Sequence, residues 1–122
     1  MNRLDPNTRS ELETIINQIR QKKDVDAQEW KKVIGTAFSS KGFEVEERVF
    51  VRERGDGHTG RVALVCTRAN LIVGVEIGHS NPRQKSIPKL NQLDPTAIRL
   101  IGLHSGRFNG SISGVDWIFS RI

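Results

Sequence analysis

The stretch Arg61–Leu90, RVALVCTRANLIVGVEIGHSNPRQKSIPKL, constrains the fold more than any other part of the chain. Arg61–Thr67 and Leu71–Ile77 are nearly continuous apolar runs joined at Arg68-Ala69-Asn70. Short apolar runs bounded by turn residues predict central strands covered on both faces. Glu76 stands alone among the hydrophobics near the end of the second run, and a basic segment, Arg83-Gln84-Lys85, follows. A buried carboxylate costs several kcal/mol unless a cation or hydrogen bonds satisfy it. Either Glu76 faces the surface at a strand end, or the protein builds something around it.

The flanking segments supply the partners of such a sheet. Leu12, Ile15, Ile16 and Ile19 recur at helical spacing and predict a helix near residues 7–23. Two starts compete for it: Thr8-x-x-Glu11 has capping-box spacing, and Asp5-Pro6 pairs an N-cap with a first-turn proline. Trp30, Val33, Ile34, Ala37 and Phe38 form one apolar stripe and predict a second helix at about 27–41, with Asp26 as N-cap and Gly42 as C-cap glycine. Phe43, Val45, Val49 and Val51 alternate, interrupted by Glu47, which predicts a strand with one wet face. Gly55–Gly60 reads as a glycine-rich hairpin loop without the lysine of a phosphate-binding loop. Ser86-Ile87-Pro88 reads as a helix start that tolerates proline in its first turn. Ala97–Leu103 predicts a further strand, His104–Ser113 a mobile loop, and Val115, Trp117 and Phe119 a terminal strand.

The order helix, helix, strand, strand, strand, helix, strand predicts an α/β domain with a mixed sheet. At 122 residues the chain fits a single domain, 1–122, with one core, and the helix at 7–23 reads as an addition to it. With one cysteine, Cys66, an internal disulfide and a multi-cysteine zinc site are excluded. Its apolar neighbours make Cys66 a small buried hydrophobe. The polar N-terminus and short apolar runs predict no signal peptide, no membrane span and a cytoplasmic protein. The net charge of +5 is spread along the chain, with eight basic and six acidic residues before Gly42 and eleven and eight from there on. That excess is compatible with a polyanion partner. Tyrosine is absent, which argues against a single-strand stacking platform. His58, His79 and His104 lack short ligand spacing, and His79 is the one to follow, three residues after Glu76.

From about Glu29 to His104 this order, with these residues, resembles the PD-(D/E)XK nuclease superfamily of restriction endonucleases and Holliday-junction resolvases. The resemblance implies a restriction-endonuclease-like mixed sheet, an antiparallel meander plus a crossover helix, flanked by helices. It also implies metal-dependent hydrolysis of DNA phosphodiesters with Mg²⁺ or Mn²⁺. Hard oxygen ligands suit Mg²⁺, which activates a bound water and neutralises charge on the phosphate. Glu76 in Val75-Glu76-Ile77 fits the acidic position of the third strand, and the Ile77 backbone carbonyl is the implied further metal ligand. Gly78 stands where the motif lysine belongs, and Ala63 stands where the second-strand Asp belongs. Glu29 matches the helix Glu of the family, Lys85 is a candidate for a migrated catalytic lysine, and Asp56 is a distant substitute acid. Arg54, Arg61, Arg83, Lys85 and Lys89 are candidate DNA contacts, with Arg52 and Arg68 beside them as sheet-edge charges. The family's habit of cutting two strands with two sites implies a homodimer as an option. Three readings follow: an active metal-dependent nuclease, a nuclease fold that has lost hydrolysis and kept a DNA-binding or complex-forming role, and an unrelated α/β domain.

Overall fold

A computed structural model describes residues 4–52 and 59–121. Arg54, Asp56 and His58 lie outside the described residues. Helix α1 (Pro6–Gln21) starts at the second of the two candidate caps. The Asp5 carboxylate accepts the Thr8 amide at 2.9 Å, and Pro6 occupies the first turn, where its missing N–H is not needed. That hydrogen bond from the Thr8 amide holds the Asp5 carboxyl below the usual carboxylate range. Helix α2 (Ala27–Ser39) is capped by Asp26, whose carboxylate accepts the Glu29 amide at 2.9 Å. Gly42 follows it with φ +86°, a left-handed conformation that lets Phe43 turn back onto the helix. The Phe43 ring then meets Phe38 edge-on at 5.2 Å.

Five strands form one mixed sheet in the order β1 (Glu44–Val51), β2 (Gly60–Arg68), β3 (Leu71–Gly78), β4 (Ile98–Leu103) and β5 (Trp117–Ser120). The first three make an antiparallel meander, and β4 and β5 each pair parallel to the strand before them. Parallel pairing of β3 with β4 needs a crossover, supplied by the six-residue helix α3 (Ser86–Asn91). The α/β architecture with a mixed sheet and flanking helices agrees with the expectation. The weakly patterned end of the chain is a real strand, shorter than the alternation over Val115–Phe119 suggests.

Helices α1 and α2 cover one face of the sheet and α3 covers the other. On the first face Leu12, Ile15, Ile16, Ile19, Trp30, Ile34 and Phe38 pack on Leu64, Cys66, Val73, Val75, Ile98 and Leu100. On the second, Leu90 packs with Val51, Val62, Ile101 and Leu103. Burial on both faces explains why β4 is buried along its whole length and reads as a mostly apolar run, interrupted only by Arg99. The interruption at Glu47 also has a physical reason. Glu47 is on the α2 side and pairs with Lys31 at 3.1 Å, whereas Val51 belongs to the α3-side cluster. Between them Arg48 adopts φ +55°, and the inward face of β1 changes sides there.

Arg68, expected among the sheet-edge charges, ties the layers together instead. Its guanidinium pairs with Glu11 of α1, donates to the Lys41 carbonyl at 2.8 Å, and lies 4.4 Å from the centre of the Phe43 ring. The Arg68 guanidinium holds the Glu11 carboxyl below the usual range. The stability this gives is present at neutral pH and lost as pH falls through that lowered value; with both side chains over a third exposed, solvent keeps it small. Among the described residues no helix is long and apolar enough to cross a membrane.

Burial pushes the Cys66 thiol up to about 12. A thiol-specific reagent at pH 8 is expected to leave native Cys66 unmodified and to label it fully in urea; rapid labelling of the native protein would contradict this burial. Trp30 is fully buried and its indole donates to the Gly102 carbonyl at 3.1 Å. Trp30→Phe orphans that acceptor and is expected to lower stability by about 1–3 kcal/mol in urea denaturation.

Candidate functional site

Glu76 is 2% exposed, so the protein does build something around it. The registered pairs of β2 with β3 run from Arg68↔Leu71 to Leu64↔Val75 and stop there. Ala63 and Glu76 are the next residues on the two strands, at the point where the ladder opens into a fork. The Glu76 carboxylate closes that fork: its Oε2 accepts the Ala63 amide at 2.7 Å, in place of a strand-to-strand bond. Its Oε1 accepts the Ser86 hydroxyl at 2.9 Å and lies 2.6 Å from the Lys89 ammonium. Lys89 also donates to the Arg61 carbonyl at 3.1 Å. Ser86 and Lys89 are three residues apart, so one side of α3 presents both to the strand. Leu90, one residue on, buries its side chain in the second core.

The electrostatics follow from that geometry. With the Glu76 side chain 3% exposed and that of Lys89 13% exposed, the pair is largely withdrawn from water. Two charges there lose hydration worth several kcal/mol each, which only close pairing and satisfied lone pairs offset. The Ser86 hydroxyl, the Ala63 amide and the Arg61 carbonyl complete that requirement.

The sequence-predicted residues sort plainly by place. Glu76 and Ala63 meet through the backbone amide of Ala63. Lys89, expected as a DNA contact, is the counter-ion of Glu76. Glu29 sits exposed in the first turn of α2, on the opposite face of the sheet from Glu76, so the structure does not bring the two together. The Ile77 side chain packs into the α1–α2 core, away from the Glu76 carboxylate. Lys85 is exposed at the N-cap of α3, one residue before Ser86. Arg61 and Arg83 are exposed on the segments that flank the fork. At Gly78, where the family resemblance leads one to expect a lysine, an added Cβ would come within 2.6 Å of the Asn81 carbonyl oxygen and 2.8 Å of Leu103. The turn after β3 has closed over the space that a side chain there needs.

A divalent cation does not fit this donor set. Both Glu76 oxygens are engaged by protein donors, the residue opposite on β2 is Ala63, which has no ligating side chain, and an ammonium stands where a metal would balance the charge. Among the described residues no three His, Cys, Asp or Glu side chains group so as to hold a metal. Sequence reasoning missed Ser86 and the pairing role of Lys89. Their three-residue spacing at a helix start was the available signal, but nothing local showed that this face turns toward Glu76. Compared with models of known protein families and with curated proteins, the chain matches none.

Removing one partner of a buried pair strands the other charge. Lys89→Met is expected to cost about 3–5 kcal/mol in urea denaturation. Adding Glu76→Gln to it should recover most of that loss, because a neutral amide still accepts from Ala63 and donates to Ser86. Equal stability of Lys89→Met and the native chain would mean that the pair is not formed.

Proposed function

We propose that this chain is a restriction-endonuclease-like domain that binds DNA and whose hydrolytic centre has been rebuilt as an internal ion pair. The observation that carries the reading is the Glu76–Lys89 contact at 2.6 Å, at the fork between β2 and β3. In the PD-(D/E)XK arrangement that fork holds an acid from each strand and a metal between them. Here Glu76 keeps its place, Ala63 cannot ligate, and the Lys89 ammonium supplies the positive charge from within the chain. Gly78 cannot be replaced by lysine without moving the turn at Asn81. The element order from α2 to β4, helix, three antiparallel strands, crossover helix, parallel strand, supports the family reading.

Binding is supported by charge. The net charge is +5, and Arg61 on β2 and Arg83 and Lys85 on the segment between β3 and α3 are exposed. Long cationic side chains beside a sheet end suit contacts to a phosphate backbone, which position a duplex without reading its bases. The active-nuclease reading requires Lys89 to leave Glu76 and a second carboxylate to arrive from elsewhere.

Anisotropy titrations of a labelled duplex against NaCl test the binding. Three phosphate contacts predict a slope of log K against log salt of about −3, and Arg61→Ala should reduce its magnitude by about 1. Absence of salt-sensitive binding to any DNA form would sink the reading. In Mg²⁺ or Mn²⁺ the native chain is expected to leave the duplex intact. Cleavage that disappears in Glu76→Gln would replace this reading with that of an active nuclease.

A further inference from the structure

A second recess lies at the carboxyl ends of β3 and β4, on the α2 side of the sheet and apart from the Glu76 cluster. Its volume is about 230 Å³. Trp30 and Ile77 give it an apolar wall, His79, Arg83 and His104 a polar one, and Ala27, the first residue of α2, closes one end. Crevices outside the carboxyl ends of strands are the usual ligand positions of open α/β sheets.

The polar wall is half fixed and half open. His104 Nε2 lies 2.6 Å from the Val25 carbonyl, which can only accept, so Nε2 carries the proton. Its Nδ1 lies 2.7 Å from the Ser105 hydroxyl, which can then donate to it. The His104 ring is further held edge-on to Trp30 at 6.0 Å. His79 stacks on that fixed ring at 5.8 Å, with an angle of 22° between planes. The backbone fixes the same arrangement, since the Ser105 amide donates to the His79 carbonyl at 2.8 Å. By contrast, the His79 ring nitrogens and the Arg83 guanidinium have no hydrogen-bond or ion-pair partner among the described residues. Asp26, beside Ala27, keeps its carboxylate on the Glu29 amide. The recess therefore presents a positioned imidazole and an uncommitted guanidinium over an apolar floor, beside the positive end of a 13-residue helix.

We propose that this recess binds a nucleotide phosphomonoester. A guanidinium can grip two phosphate oxygens in its fork, leaving a third for the His79 imidazole. A carboxylate, with two oxygens, cannot satisfy both groups in this way. The volume exceeds what a phosphate alone fills, so part of the sugar rests against Ile77. The phosphomonoester comes from a free mononucleotide or from the 5′ end of a DNA strand. In the second case the site rests on the DNA-binding reading and gives it a preference for ends.

The test compares deoxyadenosine 5′-monophosphate with two oligonucleotides of one sequence, carrying a 5′-phosphate or a 5′-hydroxyl. Affinities are measured by calorimetry, and the His79 and His104 ring signals are followed by NMR. His79→Ala and Arg83→Ala change exposed residues and should leave the fold intact. The 5′-phosphorylated strand is expected to bind about tenfold more tightly than its hydroxyl twin, about 1.4 kcal/mol, with the difference lost in either variant. The mononucleotide is expected to shift both histidines in the native chain and neither remaining histidine signal in Arg83→Ala. Mononucleotide binding with no oligonucleotide binding would keep the recess and discard DNA as the source. No mononucleotide binding together with equal affinities for the two oligonucleotides would overturn the proposal while leaving general DNA binding standing. A preference unchanged in Arg83→Ala would overturn it as well.

Discussion

The burial of Glu76 is the constraint on which the middle of the molecule depends. A strand that carries a carboxylate into the core must bring a cation or hydrogen-bond donors to it, and here it has both. The cation comes from α3, a helix of six residues that is too short to persist alone. The ion pair to Lys89, the Ser86 hydroxyl bond and the packing of Leu90 together set where α3 lies on the sheet. Its position in turn sets the crossover that makes β4 parallel to β3. Glu76 also holds β2 apart from β3 at Ala63 by taking its amide. One side chain thus links the opening of the meander, the seat of the helix and the topology that follows.

The same arrangement balances the charge at this point without a metal. A carboxylate at the fork of two strands suits a metal when a second acid stands opposite, because two negative charges need a divalent partner. With Ala63 opposite, a single carboxylate needs a single positive charge, and a lysine on the adjacent helix meets it. The turn closed over Gly78 leaves no room for a side chain beside this pair. Arg61 and Arg83 stay exposed on the segments on either side of this centre.

Much of the fold was legible in the residues. The apolar stripes of α1 and α2, their aspartate caps and the mostly apolar runs of β2, β3 and β4 act through local spacing, which a sequence displays directly. The terminal strand was visible only as a weak alternation, because β5 gains its definition from tertiary contacts. The Arg20 guanidinium donates to the Ser120 carbonyl at 2.8 Å, and Arg9 stacks 4.4 Å over Trp117. Glu76 was legible as an anomaly, since few residue types are so costly in an apolar strand. Its partners were not, because Ser86 and Lys89 reach it across a turn whose path no local pattern fixes. Arg68 and Lys89 illustrate the general difficulty: an arginine or lysine in a sequence looks the same whether it grips a phosphate or a neighbouring layer of the protein.

The most direct test of the account is calorimetric titration of Mn²⁺ into the native chain, alongside Glu76→Gln. If Lys89 holds the carboxylate, the native chain and the variant should show the same absence of saturable binding. Saturable Mn²⁺ binding by the native chain that is lost in Glu76→Gln would show that the carboxylate is open to a metal, and would contradict the closed centre proposed above.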